Sequence, residues 1–202
     1  YLPPKLCIII VGNRPDSLVY VNMKRKKCLE IGIGIEVFYY KDAKKTEIIK
    51  KIKELNKNKS INGIMVQLPL PDNLKDDTRE ILDTLSPSKD VDGLTTYSLG
   101  KLISCGRLDL SKLKEYDFFI SSTVYGVLKL IHNYRIDILG KNIGIIGNSA
   151  LLGMPLSIIL SNMGGTVEIC HIHTDNLRDH TCDKDILISC CGVKGLIKGD
   201  MI

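Results

Sequence analysis

The sequence predicts an α/β fold with two lobes, each built on a parallel sheet. Short apolar runs rich in β-branched residues alternate with longer segments of helical periodicity, which is typical of helix-covered parallel strands. This alternation weakens between residues 92 and 119 and then resumes. We therefore expect two domains, residues 1–120 and residues 121–202, joined through a long irregular connection.

The first lobe opens with a strand, a helix and a second strand. The run from Leu6 to Val11 predicts a buried strand, because it is apolar and bounded by proline and glycine. Asp16 or Ser17 is predicted to cap the helix that follows, which should run to about Ile31. The later elements are predicted in this order: a strand at 35–40, a helix capped by Thr46, a strand at 63–67 and a helix at about 75–85.

The second lobe is predicted from the same alternation. A helix near 126–134 leads into it, and an apolar strand at 142–146 precedes a glycine-containing turn. A helix from about 155 to 163 and strands at 166–170 and 185–190 complete the visible pattern. In such sheets the ligand lies beyond the carboxyl ends of the strands, so residues at those ends are the first candidates for function.

Composition excludes several classes of protein. The 28 basic and 23 acidic residues give a net charge of +5, and many lysines lie in helical patterns such as 44–59, which indicates a solvated face rather than a nucleic-acid site. No apolar run approaches the roughly 20 residues that span a bilayer, and no leader is visible at Tyr1. We expect a soluble protein without a nucleic-acid or membrane partner. The expected compartment is the cytoplasm, with a mitochondrion or another organelle as the alternative.

The seven cysteines have no regular spacing, which favours free, buried thiols in a reducing compartment over a disulfide framework. Cys170, His171, His173 and Cys182 are residue types that bind zinc. Their spacing matches no compact zinc module, so we predict no metal site.

Three groups in the first lobe suggest chemistry. Tyr20 and Lys24 are four residues apart on a predicted helix and share a face; the alternative is an aromatic ring that shields a lysine stem. Gln67 ends a predicted strand and could equally be an amide without a role. Asp90 and Asp92 lie two apart before a glycine, where they could cap a helix, bind a cation or hold a substrate's donor groups.

The second lobe carries a loop of the kind that receives a phosphate. Gly147, Asn148, Ser149 and Gly153 lie between a predicted strand and a predicted helix, where backbone amides and the helix dipole favour an anion. Pro155 suits the first turn of that helix, because its missing donor is not needed there. The spacing is not G-x-G-x-x-G, so a tight strand-to-helix turn is the alternative.

Taken in order, these segments resemble the family of bifunctional methylenetetrahydrofolate dehydrogenase/methenyltetrahydrofolate cyclohydrolase. The resemblance runs from about Leu6 to Ile202 and is carried by Tyr20-x-x-x-Lys24, by 66–71 (VQLPLP) and by 89–93 (KDVDG). It implies an amino-terminal α/β folate-binding lobe and a carboxyl-terminal Rossmann-like NAD(P)-binding lobe, with the active site in the cleft between them. The family continues beyond the position of Ile202, so the second lobe is expected to be incomplete.

The resemblance also implies the activity, which belongs to one-carbon metabolism and supplies purine biosynthesis. Hydride passes from 5,10-methylenetetrahydrofolate to NADP, and water then attacks the methenyl cation to give 10-formyltetrahydrofolate. The residue matching Lys24 is the family's acid/base group, supported by Gln67. Tyr20 would stack on the folate rings, and Asp92, the third member of the expected catalytic set, would hold the pterin's nitrogen donors. We expect tetrahydrofolate substrates and a homodimer.

Some positions depart from the family pattern. The family's Pro-Cys-Thr-Pro appears here as 121–124 (SSTV), and the loss of both prolines should loosen that segment. Asn148 stands where the family has an arginine and Ile172 where it has a serine, so the contacts to the 2′-phosphate of NADP are weakened. His173 and Thr174 are the remaining candidates for cofactor contact, and NAD stays an alternative cofactor. The competing functions are a non-catalytic folate- or nucleotide-binding relative, a monofunctional dehydrogenase, or another two-lobed Rossmann dehydrogenase.

Overall fold

The computed structural model describes residues 3–202, apart from the side chains of Leu110, Leu113 and Lys114. Residues 1 and 2, where the predicted first domain begins, lie outside that description. The chain forms two compact units: Tyr1–Ser98 with Asp117–Phe119, and Leu99–Tyr116 with Ile120–Ile202. The predicted α/β class with two parallel-sheet lobes is confirmed. The division at residue 120 stays a prediction, because the chain passes between the units more than once.

The first unit contains a three-stranded parallel sheet. Its strands are β1 (Lys5–Val11), β2 (Gly34–Tyr40) and β3 (Gly63–Val66), in the order β2-β1-β3. Ile9 of the central strand is in register with Phe38 on one side and Val66 on the other. All three strands therefore end at the same edge, and Gln67 follows the last of them.

Helices cover both faces of this sheet, which explains the unbroken apolar run of β1. These helices are α1 (Pro15–Glu30), α2 (Lys45–Lys57) and α3 (Thr78–Asp83). The next helix, α4 (Thr96–Ser104), begins in the first unit and continues into the second. Cys7 and Ile9 are buried in a cluster with residues of α2 and α3, whereas Ile8 and Ile10 are buried with Val21 of α1. A strand buried on both faces needs no polar alternation.

Two predicted helix caps are wrong. The first helix begins at Pro15, a residue suited to the first helical position, and the Asp16 carboxylate accepts hydrogen bonds from the Arg14 side chain and the Ser17 amide. Thr46 lies inside α2; the cap is Lys44, whose amide donates to the Glu47 carboxylate at 2.7 Å.

The stretch predicted as an irregular connection contains α4 and a 3-10 helix at Leu110–Glu115. A distant side chain explains the start of α4: the Asp83 carboxylate accepts from the Thr96 amide at 2.6 Å and from the Thr96 hydroxyl at 2.7 Å. The helix predicted at about 75–85 is correspondingly shorter, since a 3-10 turn at Asp72–Leu74 precedes α3.

The second unit also contains a three-stranded parallel sheet. Its strands are β4 (Asn142–Ile146), β5 (Thr166–Cys170) and β6 (Ile186–Ser189), in the order β5-β4-β6. Its other long helices are α5 (Ser122–Asn133) and α6 (Gly153–Asn162). The side chains of Ile143, Ile145, Leu156 and Ile159 are fully buried between α6 and the strands.

Within residues 3–202, no helix has the length and apolar character needed to cross a membrane.

Candidate functional site

Lys24 and Gln67 meet at the carboxyl edge of the first sheet. The Lys24 ammonium nitrogen donates to Gln67 Oε1 at 3.1 Å and lies 3.6 Å from the sulfur of Met65. The Gln67 amide nitrogen donates to the carbonyl of Leu68 at 2.8 Å, which turns the amide oxygen toward the lysine. Gln67 is 8% exposed, so its orientation is fixed by packing as well as by hydrogen bonds.

The backbone after β3 explains why Gln67 lies there. Its amide donates to the carbonyl of Ile9 at 2.8 Å, which extends the pairing with β1 by one residue. The chain then turns through a cis Leu68–Pro69 peptide, and Pro71 packs against Gly12. Gly12 has a φ of 87°, and a Cβ there would lie 3.2 Å from Pro71, so glycine allows the two strand ends to approach.

Asp92 belongs to the same cluster. Burial raises the pKa of its carboxyl, the charge of Lys24 lowers that pKa, and the Asp90 carboxylate raises it. In the described part of the chain, no group donates a hydrogen bond to the Asp92 side chain. We call Lys24, Gln67 and Asp92 the Lys24 cluster; it combines a cation, an oriented amide and a carboxylate with free acceptor capacity.

The neighbouring residues of the same motif are structural. Asp90 is fully buried and accepts from the Thr95 amide at 2.9 Å and the Ser98 hydroxyl at 2.8 Å. The Lys89 ammonium donates to three backbone carbonyls at the end of α2. Lys89 and Asp90 therefore hold the loop in place, whereas the Asp92 side chain has no hydrogen-bond donor among the described residues.

Tyr20 lies one turn before Lys24 on α1. Its side chain is 58% exposed, and with Met23 and Lys24 it lines a shallow depression. The ring does not cover the lysine stem inside a core. Its open face is suited to stacking against a flat aromatic ligand.

The glycine loop of the second unit is a tight backbone cradle. Gly147 has a φ of 114°, and its amide donates to the carbonyl of Cys170 at 2.8 Å. A Cβ on Gly153 would lie 1.8 Å from the Gly147 carbonyl oxygen, so glycine is required at this crossing. The loop leads directly into the amino terminus of α6, whose first turn contains the buried Pro155.

A cavity of about 560 Å³ opens beside this loop. Three predicted cofactor residues of the loop, Gly147, Asn148 and Ser149, line it together with Thr174. Gly153 and Pro155 are buried and do not line the cavity. His173 is exposed and is not among the lining residues either. The other lining residues are Ile146, His171, Ile172, Leu177, Cys190, Cys191, Val193 and Leu196.

Comparison with known proteins identifies both parts of the chain. The tetrahydrofolate dehydrogenase/cyclohydrolase catalytic domain matches residues 1–92, and the NAD(P)-binding domain of the same family matches residues 121–202. The bifunctional protein FolD of Aquifex aeolicus is 43% identical over 204 residues, which cover 100% of this chain and 66% of that protein. FolD of Sulfurimonas denitrificans is 40% identical, covering 100% of this chain and 67% of that protein.

The chain belongs to the tetrahydrofolate dehydrogenase/cyclohydrolase family.

Solved structures of this family have the same fold. The FolD enzyme of Campylobacter jejuni superimposes with a TM-score of 0.88 at 37% identity, covering 100% of this chain and 68% of that chain. The Trypanosoma brucei enzyme, complexed with NADP and an inhibitor, gives a TM-score of 0.89 at 28% identity, covering 98% and 65%. The chain spans about two thirds of the length of the relatives that it matches.

His171 also lines the cavity. The sequence analysis considered it only as a residue type that binds zinc and did not predict it as a cofactor contact. The His173 amide donates to His171 Nδ1 at 3.1 Å, which orients the ring. The Thr174 hydroxyl oxygen accepts from the His171 amide at 2.9 Å and fixes the turn. The position of His171 beside the cavity depends on the pairing of β5 and β6 with β4, which the sequence does not show.

The segment 121–124, in which the family's two prolines are replaced, is ordered as the start of α5. Ser121 is the N-cap residue, and Ser122 to Val124 form the first turn. Val124 is fully buried. The side chain of Val124 packs in the interior, and the expected loosening of the segment stays a prediction.

In the second unit, the residues of metal-binding type that lie close together are not the four considered from the sequence; they share only Cys170 with that group. Glu168, Cys170 and His180 place ligand atoms within 4.8 Å of one another. The Glu168 carboxylate is already paired with His180 Nδ1 at 2.6 Å and the Lys184 ammonium at 2.9 Å. Hydrogen bonds from Lys184 and His180 lower the pKa of Glu168. The absence of a resident metal stays a prediction.

Proposed function

We propose that this protein oxidises 5,10-methylenetetrahydrofolate with NADP and hydrolyses the resulting 5,10-methenyltetrahydrofolate to 10-formyltetrahydrofolate. The observation that carries this proposal is the 3.1 Å contact between Lys24 and Gln67 in a chain of this family, with Asp92 within electrostatic reach. Those three residues supply what the hydrolytic step needs. A separate cradle for a dinucleotide, built by Gly147 and Gly153, supports the oxidative step.

Lys24 is the proposed acid/base group of the hydrolytic step. Water attacks the methenyl carbon and loses a proton to the neutral lysine amine, which returns a proton to the folate nitrogen as the ring opens. The positive charge of the methenyl substrate favours the neutral amine of a lysine held beside it. Gln67 positions that amine by accepting its hydrogen bond, because its own amide is held by the Leu68 carbonyl.

Asp92 and Tyr20 are the proposed folate contacts. The half-buried Asp92 carboxylate has no donor within the described residues, so the amino group and ring N–H of a pterin would satisfy it in a charge-assisted pair. Tyr20 offers an exposed ring on the same helix as Lys24. Stacking and pairing would together align the reactive carbon with the lysine.

NADP accepts the hydride when it is bound, and the residues of the second unit hold it. The proposed contacts are the loop of Gly147, Asn148 and Ser149 with Thr174, supported from behind by Gly153 and Pro155. His173 is also proposed to contact NADP, although it would do so only when the bound cofactor changes the position of its side chain. No carboxylate is among the described residues lining the cavity, whereas NAD enzymes often use one to hold a free ribose. This absence favours NADP.

The assembly is proposed to be a cytoplasmic homodimer. Exposed apolar side chains at Leu130, Tyr134, Ile136 and Leu139 lie close together in sequence in the second unit and suit a protein contact. Sedimentation of the full-length protein tests this proposal. A monomer across the micromolar range would contradict it.

The activity is tested by mixing the protein with methylenetetrahydrofolate and either NADP or NAD while following reduced nicotinamide and methenyl product together. We expect turnover with NADP and a slower rate with NAD. Lys24→Ala should reduce methenyl hydrolysis by about 10²- to 10⁴-fold, the usual contribution of a general acid/base, while leaving folate binding measurable. Arg25→Ala, an exposed cation on the same helix that does not line the depression with Tyr20 and Lys24, is the matched control.

The outcomes separate the competing functions. Folate binding without turnover by a folded protein would favour the non-catalytic relative. Dehydrogenase turnover without hydrolysis would identify a monofunctional dehydrogenase. Equal loss of cofactor binding and both activities in Lys24→Ala would make Lys24 a structural residue.

A further inference from the structure

Two adjacent cysteines line the nucleotide cavity. Cys190 and Cys191 follow β6, and the Cys190 amide donates to the Ile146 carbonyl at 2.7 Å, which fixes them beside the end of β4. A Cβ built on Gly147 would lie 3.2 Å from the Cys190 carbonyl carbon and oxygen. Cys190 therefore packs directly against the glycine loop, and Cys191 lines the same cavity.

The surroundings of Cys191 stabilise a thiolate. Its sulfur lies 3.4 Å from the hydroxyl oxygen of Ser189, which can donate to a thiolate. Hydrogen bonds from that hydroxyl and from the Val193 amide lower the pKa of the Cys191 thiol. Burial instead raises the pKa of Cys190, as it does for Cys105. The two neighbours in sequence are thus chemically different.

We propose that Cys191 is a thiol-modification site that reacts with small electrophiles, hydroperoxides included, and that its modification excludes the dinucleotide from the cavity. The second half of this inference rests on the proposed function, because it assumes that NADP occupies the cavity. The first half depends only on the sulfur and its neighbours. The cavity holds about 560 Å³, so small neutral reagents can enter.

The chemistry is nucleophilic attack by the thiolate sulfur. With iodoacetamide, a carbon–sulfur bond forms, the carbon–iodine bond breaks and iodide leaves. With hydrogen peroxide, a sulfur–oxygen bond forms as the oxygen–oxygen bond breaks, and the departing hydroxide takes a proton to become water. The sulfur is oxidised to a sulfenic acid and the peroxide is reduced. Either product enlarges the Cys191 side chain, which lines the cavity, and so reduces the space for a dinucleotide.

The first test is iodoacetamide labelling of the full chain at neutral pH, with the rate at each cysteine read by peptide mass spectrometry. We expect Cys191 to react several-fold faster than Cys182, although Cys182 is the exposed cysteine. Saturating NADP should slow labelling of Cys191 and leave Cys182 unchanged. Labelling of Cys191 that is no faster than that of Cys182, or that NADP does not slow in a protein shown to bind NADPH, would overturn the inference.

Two variants separate local activation from simple access. Ser189→Ala removes the hydroxyl donor and should slow Cys191 labelling. Cys190→Ser keeps a small polar side chain beside Cys191 and should leave its labelling rate within about twofold. Loss of Cys191 reactivity in Cys190→Ser but not in Ser189→Ala would contradict the assigned cause.

NADPH binding, followed by its own fluorescence, distinguishes failure of this inference from failure of the proposed function. If unmodified protein does not bind NADPH, the cofactor proposal fails, while the ranking of cysteine rates still tests the reactivity of Cys191. If NADPH binds, peroxide treatment should weaken its binding at least tenfold in the parent protein and much less in Cys191→Ser. Equal weakening in both proteins would overturn the modification site.

Discussion

The Lys24 ammonium nitrogen lies 3.1 Å from the amide oxygen of Gln67, and that amide is in turn held by the carbonyl of Leu68 at 2.8 Å. A neutral acceptor can position a lysine without supplying a charge that holds its proton. A carboxylate at the same place would favour the ammonium form. The identity of residue 67 therefore bears on the chemistry of Lys24 as well as on its position.

Gln67→Glu tests this relationship. The new carboxylate is expected to keep Lys24 protonated and to reduce methenyl hydrolysis by about 10²-fold or more, since the general base is lost. Hydride transfer depends mainly on ligand alignment and should fall less. The measurement is the ratio of the two rates in one assay. Gln67→Met removes the acceptor without adding charge, and a loss in that variant equal to the loss in Gln67→Glu would contradict the electrostatic explanation.

The sequence predicts the strands well because their signal is local. The run from Leu6 to Val11 is apolar at every position, and the central position of β1 between two helical layers is the physical reason. Gln67 could be placed at a strand end for the same reason. Its contact with Lys24 could not be derived from spacing, because it depends on how α1 packs across the sheet.

Helix boundaries and the cofactor cavity were harder to predict because distant residues decide them. Asp83 caps α4 from thirteen residues away in sequence. His171 and Cys191 become neighbours of the glycine loop only through the pairing of β5 and β6 with β4. No periodicity in either segment carries that information.

Asp92→Asn should increase stability at neutral pH. Burial raises the pKa of Asp92 above its ordinary value of 3.8, with the Lys24 charge opposing the shift. An acid whose pKa is raised by folding contributes stability below its unfolded pKa and loses that contribution as pH rises through the folded pKa. The ionised carboxylate therefore costs stability at neutral pH, and the amide removes this cost.

Urea unfolding at neutral and acid pH measures the effect. The gain should be largest at neutral pH and should vanish below about pH 4, where both side chains are neutral. For a chain of this length each kcal/mol corresponds to about 2–4 °C in Tm. Folate affinity should fall in the same variant, because the charge-assisted pair is lost. A variant less stable than the parent at neutral pH would refute the assignment of burial as the main cause.

Asp90→Ala should behave in the opposite way. Asp90 is fully buried and satisfies the Thr95 amide and the Ser98 hydroxyl, so its removal leaves buried donors unpaired. Such donors cost about 1–3 kcal/mol each, and we expect a loss of roughly 2–4 kcal/mol in the free energy of unfolding. Chemical denaturation measures it. A loss below about 1 kcal/mol would show that water replaces the carboxylate.

Gly153→Ala and Gly126→Ala form a matched pair in the second unit. A Cβ on Gly153 would collide with the Gly147 carbonyl oxygen, and the atoms nearest to it are all backbone atoms of Gly147 and Asn148, so no flexible side chain can move away. The loop must shift, so we expect a loss of about 1–3 kcal/mol in stability and at least a tenfold weaker NADPH affinity.

Gly126 lies inside α5 with open space around it, and alanine there should add about 0.5–1 kcal/mol by reducing the freedom of the unfolded chain. Thermal unfolding and NADPH fluorescence measure both variants. Unchanged NADPH binding in Gly153→Ala would show that the loop does not form the cofactor cradle.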